Sequence, residues 1–155
     1  MTPVLAKHLA KYIPKRFENI CELIINSSIS FGKTFQELGY NVNFVIIDDD
    51  QNIDTDRIDH DFDCIITALI QEIRDEVIEL LHKSNKPFAI LLSMQSDNYK
   101  KIFDICVKDN VSLIFIDPYL EIITNSYTKV RGIFWILRDF DSGGMVYFEQ
   151  ISERV

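Results

Sequence analysis

The side chains best suited to chemistry in this 155-residue chain are carboxylates. Asp117-Pro118-Tyr119 follows an apolar run at residues 111–116. The carboxyl end of a strand is where open α/β sheets bind ligands. An Asp-Pro pair closing a strand is also routine turn chemistry, and the turn is the plainer reading. Asp50-x-Asn52-x-Asp54 has the opening spacing of a calcium loop. The glycine such a loop needs is missing, Arg57 stands where an apolar residue belongs, and Asp61 replaces the bidentate glutamate. With Asp56 and Asp59, the segment reads as an acidic solvated loop able to face a basic partner. His8, His60 and His82 are scattered without metal-ligand spacing. There is no Ser-His-Asp grouping, phosphate loop or nucleophile elbow, so no catalytic residue and no metal ligand is assigned.

The elements that must position any site follow from periodicity. Thr2-Pro3 opens a helix with a capping hydroxyl and a proline at the first helical position, and Pro14 ends it. Residues 20–25 form a short apolar run, 31–38 a helix stopped by Gly39, and 42–47 a β-branched strand ending in Asp48-Asp49-Asp50. Strands follow at 63–67, 87–93 and 111–116, separated by helices at 72–83 and 98–108. The run at 87–93 is continuously apolar, as in strands covered on both faces, and 111–116 reads as another buried strand. Two further strands, 132–137 and 144–148, flank the turn Asp141-Ser142-Gly143-Gly144 and read as a closing hairpin. Alternating strands and helices predict an α/β fold: a mostly parallel sheet, helices on both faces, and a C-terminal antiparallel hairpin at the edge. The length fits one domain over residues 1–155. Tyr127, Phe134, Trp135 and Tyr147 fit core or interface positions better than a stacking surface.

The net charge of −8 argues against autonomous nucleic-acid binding, which needs a basic surface to release counterions. Cys21, Cys64 and Cys106 are odd in number and far apart, and read as reduced, mostly buried thiols of an intracellular protein. No apolar run is long enough for a membrane helix, and Met1-Thr2-Pro3-Val4 does not read as a signal peptide.

Several phrases together resemble the small S-adenosylmethionine-dependent methyltransferases, in particular the phage and viral adenine-N6 DNA methyltransferases. They are Thr2-Pro3 with Leu5-Ala6-Lys7 and Tyr12-Ile13-Pro14, Glu22, Phe31 and Phe35, and Glu37-Leu38-Gly39-Tyr40-Asn41-Val42. Asp63-Cys64-Ile65-Ile66-Thr67 and Lys86-Pro87-Phe88-Ala89-Ile90-Leu91-Leu92 complete the set. The resemblance implies a Rossmann-like methyltransferase fold, with Glu22 as the acidic residue before the cofactor loop. It also implies that Asp48 or Asp49 meets the cofactor ribose, against the plainer reading that three aspartates open a solvated loop.

The functional segments depart from that family. Its cofactor loop is glycine-rich so that backbone can approach the ligand, whereas Leu23-Ile24-Ile25-Asn26-Ser27-Ser28-Ile29-Ser30 has no glycine. Side chains at Ile25 and Ile29 would obstruct a cofactor there. The family's Asn/Asp-Pro-Pro-Phe/Tyr loop holds the adenine amino group and stacks on the flipped base. Ala68-Leu69-Ile70-Gln71 stands in its place, leaving neither acceptor nor aromatic ring. The chain is also too short for a target-recognition insert. The expectation is a catalytically inactive, methyltransferase-like protein without a cofactor, working as a binding, scaffold or regulatory protein. Asp48 and Asp49 would be vestigial, and Leu69 and Ile70 exposed as a contact surface for a protein partner or a homo-oligomer. The alternative is a divergent adenine-N6 methyltransferase that uses S-adenosylmethionine, with a partner subunit.

Overall fold

Along the central strands, alternate residues enter two separate apolar layers. The computed structural model describes residues 2–25, 29–47, 61–70, 73–94, 99–108, 110–116, 122–123, 129–141 and 143–150. In chain order, the first half comprises α1 (Thr2–Ala10), β1 (Asn19–Ile25), α2 (Gly32–Glu37), β2 (Asn41–Ile47), β3 (Cys64–Ala68), α3 (Asp75–Ser84) and β4 (Phe88–Ser93). The second half comprises α4 (Tyr99–Lys108), β5 (Val111–Ile116), β6 (Ile122–Ile123), β7 (Lys129–Val130), β8 (Ile133–Arg138) and β9 (Val146–Glu149). Seven strands form one sheet in the order β2-β1-β3-β4-β8-β5-β9, and β6 pairs with β7 in a separate two-stranded ladder.

Strands β2, β1, β3 and β4 are mutually parallel. β8 runs antiparallel between β4 and β5, and β9 pairs parallel to β5 at the edge. Leu5, Leu9, Phe31 and Phe35 pack with Ile20, Cys64, Ile66, Leu91 and Trp135 on one face. Val77, Leu80, Leu81 and Ile105 pack with Leu23, Ile65, Phe88, Ile90 and Ile136 on the other. Helices α1 and α2 thus cover one face and α3 and α4 the other. This is the three-layered, Rossmann-like α/β arrangement expected from the sequence. Every residue of β3, β4 and β8 is buried, which is why these runs carry no polar alternation.

One expectation needs correction. The strands expected to close a hairpin both form and run in opposite directions, but β5 lies between them, so they do not pair with each other. The backbone at Asp139 and Asp141 has positive φ, and the glycines at 143 and 144 follow in the same region. That turn carries the chain across β5 instead of folding β9 back against β8.

Helix ends follow local chemistry. α1 stops at Ala10, and the chain then tightens: Lys11, Tyr12 and Ile13 donate to carbonyls three residues back, at 3.3, 2.9 and 3.3 Å. A residue before proline is disfavoured in the α region, so Pro14 acts upstream of its own position. At the end of α2, Tyr40 N–H donates to Phe35 O and Gly39 N–H to Gln36 O, both at 3.0 Å. This paired closure requires a left-handed residue, and Gly39 supplies it at φ +99.

Candidate functional site

In open α/β sheets the ligand position lies beyond the carboxyl ends of the parallel strands. Among the described residues, that end carries Ile25 and Ile29 on either side of the β1–α2 connection, Ala68 at the end of β3, and Leu69 and Ile70 after it. All five are buried, with Leu69 only 2 % and Ile70 5 % exposed. Leu69 N–H donates to Leu91 O at 2.9 Å, so the segment after β3 begins as an extension of the strand ladder. Leu69 then enters the α3/α4-side layer and Ile70 the α1/α2-side layer. The expected exposed contact surface at Leu69 and Ile70 is therefore corrected: both belong to the core. Their alternation continues that of β3, which sends successive side chains to opposite covered faces.

Glu22, in the middle of β1, is 1 % exposed. Its Oε1 accepts the Phe31 N–H at 2.8 Å and so holds the β1–α2 connection against the strand. Oε2 has no hydrogen-bond partner among the described residues. Burial pushes the carboxyl above its ordinary range, opposed by the Phe31 N–H, the Ser30 hydroxyl and the Gly32 N–H. The Oε2 atom lies beside the backbone of Gly32. A Cβ on Gly32 would lie 2.7 Å from Glu22 Oε2 and 2.1 Å from Cε1 of Phe44, so the Phe44 ring crowds the same point. Gly32 is glycine because the start of α2 must pass this close to β2. Sequence reading missed this role. The available signal was a glycine opening a helix directly after a glycine-free connection.

The ends of the Asp63–Thr67 phrase are structural. Asp63 Oδ2 accepts Asn19 N–H at 2.9 Å and Glu18 N–H at 2.7 Å, which lowers its pKa below the usual aspartate range. Thr67 Oγ1 donates to Leu23 O at 2.9 Å. Both side chains fasten β3 to β1, one at each end of the strand.

The other candidates are dispersed. Cys21 and Cys64 are buried and Cys106 half-buried, and all three thiols are free. Burial raises each thiol's pKa, that of Cys21 to about 11, so none is poised as a thiolate near neutral pH. His8 lies 3.3 Å from Glu149, and the His82 ring meets Phe88 edge-on. Trp135 and Phe134 are core residues of β8, and Tyr147 is half-buried against Tyr12. Asp48, Asp49, Asp50, Asn52, Asp54, Asp56, Arg57, Asp59, His60, Asp117, Pro118, Tyr119 and Tyr127 lie outside the described residues. Among the described residues, no three histidine, cysteine or acidic side chains converge as a metal-ligand set. None of the described helices is long and apolar enough to cross a membrane.

An S-adenosylmethionine site needs polar groups for the ribose and the amino-acid portion, together with close backbone approach. At the strand ends the described residues offer apolar side chains and the buried Glu22 carboxyl, and residues 26–28, 48–50, 71–72, 95–98 and 117–121 lie outside the described residues.

No protein-family model and no curated protein sequence matches the chain. Among solved structures, it is similar to a release factor-specific protein-(glutamine-N5) methyltransferase from Alicyclobacillus acidocaldarius, at 8 % identity and TM-score 0.42. That likeness covers 88 % of this chain and 91 % of the other. It is also similar to a predicted O-methyltransferase from Agrobacterium tumefaciens, at 9 % identity and TM-score 0.44, over 96 % of this chain and 85 % of the other. Both likenesses concern the course of the chain alone.

Proposed function

We propose that this chain is a catalytically inactive, methyltransferase-like protein that works by binding, as a scaffold or regulatory component. The observation that supports the reading is the burial of the described apolar residues at the ends of β1 and β3. Ile25, Ile29, Ala68, Leu69 and Ile70 are all buried where a transferase would hold its cofactor and its target base. A buried apolar side chain contributes to the stability of the fold, and opening such packing to admit a polar ligand sacrifices that contribution.

The test is titration calorimetry with S-adenosylmethionine. The reading expects no saturable heat at ligand concentrations up to about 1 mM, a weaker limit than nearly any functional cofactor site. A saturable isotherm in the micromolar range would sink it.

One observation favours a second reading, a divergent adenine-N6 methyltransferase. Glu22 still gathers the connection after β1 through the Phe31 N–H, as an acidic residue before a cofactor loop would. Under that reading the cofactor binds and the Phe44 ring moves aside. Phe44→Ala would then tighten S-adenosylmethionine binding, and the inactive reading expects no binding by either protein.

A further inference from the structure

The sheet edge formed by β5 and β9 is covered on one face and open on the other. On the α1 side, Ser112, Ile114 and Ile116 are at most 4 % exposed. There the Tyr12 ring lies 5.0 Å from that of Tyr147, and its hydroxyl donates to Glu149. On the α4 side, Val111, Leu113 and Phe115 are only half-buried. Val146 is 50 % and Phe148 80 % exposed, with the Phe148 ring stacked on Phe115.

Helix α4 forms a wall beside this strip. Lys101 Nζ donates to Ile73 O at 2.6 Å and lies 3.2 Å from Asp75, so the Lys101 flank faces α3. At about 100° per residue from Lys101, Phe103 falls on the opposite flank, toward β5 and β9, and Val107 between that flank and the solvent-facing crest. They are 55 % and 66 % exposed. The result is an apolar helix flank standing next to an apolar strip of sheet.

We infer that this surface is a self-association interface, in which the α4 flank of each copy rests on the β5–β9 strip of the other about a two-fold axis. A convex apolar flank and a flat apolar strip, side by side on one molecule, are the two halves of an isologous contact. Placing each on its counterpart satisfies both, with no foreign partner. The exposed portions of Phe103, Val107, Val146 and Phe148, with the half-buried β5 residues, amount to roughly 500 Å² of surface. Each partner of a stable dimer covers about 800 Å², which the polar rim of the patch would complete. Pairing also shields an edge strand that carries neither lysine nor proline along residues 146–149. This inference rests on the binding reading of the protein and gives it a surface.

Sedimentation of the full chain tests it. The wild type is expected to be dimeric at about 100 µM and to dissociate on dilution. Phe148→Lys and Val107→Asp, each alone, should raise the dissociation constant at least about tenfold. Mixed together, these two chains should form a heterodimer, because one flank-on-strip contact then joins opposite charges and the other is wild type. Phe148→Ser and Val107→Ala serve as milder variants, and circular dichroism confirms that each folds. A wild type that stays monomeric at about 100 µM overturns the inference, as does a dimer indifferent to both substitutions, or charged variants that fail to pair. A dimer that binds S-adenosylmethionine would sink the inactive reading and leave the interface standing. A monomer that binds none would do the reverse.

Discussion

The carboxyl ends of β1 and β3 and the outer edge at β5–β9 both carry runs of large apolar side chains, yet the described ones are buried at the first and exposed at the second. At the first, Leu69 and Ile70 continue the alternation of β3 into two layers that already exist on either face. At the second, α1 covers one face, but α4 stands to one side of the strip and leaves Phe148 80 % exposed. The difference shows that hydrophobicity alone does not locate a contact surface. A run of apolar residues next to a doubly covered strand becomes core, whereas the same residues beyond the reach of the last helix become surface.

Substituting across the two regions separates them most sharply. Leu69→Asp places a carboxylate in a buried layer and should cost more than about 4 kcal/mol, enough to abolish cooperative unfolding in a chain of ordinary stability. Phe148→Asp should change monomer stability by less than about 0.5 kcal/mol when measured by urea denaturation at low protein concentration. Equal losses at both positions would erase the distinction.

A smaller effect tests how tightly the start of α2 is packed. Gly32→Ala forces a methyl group to within 2.1 Å of the Phe44 ring and should destabilise by about 1–3 kcal/mol. Phe44→Ala removes the nearer obstacle and leaves Glu22 Oε2 at 2.7 Å. The double variant should therefore recover part of the loss in a thermodynamic cycle, and strictly additive losses would refute the contact.

The smallest effects concern two carboxylates on paired strands, and their signs differ. Asp63 has a folded pKa below its unfolded value, because the Asn19 and Glu18 N–H groups stabilise the charged form. Its contribution is present above the unfolded pKa near 3.8 and is lost as pH falls through the folded value. The stability gap between wild type and Asp63→Asn should be about 1 kcal/mol at neutral pH, allowing for solvent exposure, and close in acid. Glu22 has a folded pKa above its unfolded value because it is buried. Its contribution is present below the unfolded value near 4.5 and declines as pH rises through the folded one. Glu22→Gln should thus gain on the wild type as pH rises, and denaturation midpoints across pH 3–8 read both trends.

Much of the frame was legible from the residues alone. The unbroken apolar runs of β3 and β4, the stop at Gly39 and the change of rhythm after β5 each have a local cause, and each appears in the structure. What escaped was set by distant partners. β5 pairs between β8 and β9, a matter of which edges are free once the sheet assembles. Gly32 is required by a ring twelve positions later in the chain. The burial of Leu69 and Ile70 depends on α3 and α4 closing one face and α1 and α2 the other. The candidate ribose acids Asp48 and Asp49 lie outside the described residues, so their part in the site rests on the sequence.

The reversed strand β8 has a consequence for how the molecule is made. Ribosomal synthesis delivers β1 to β4 first, and these can already align as a parallel sheet. The free edge of β4 receives its neighbour only when residues 133–138 emerge. Until then a nascent chain presents an unpaired strand edge between apolar faces, the kind that recruits other unfinished chains. Completion of this protein is therefore a late event, and a ribosome stalled between β5 and β8 would leave its most adhesive surface exposed.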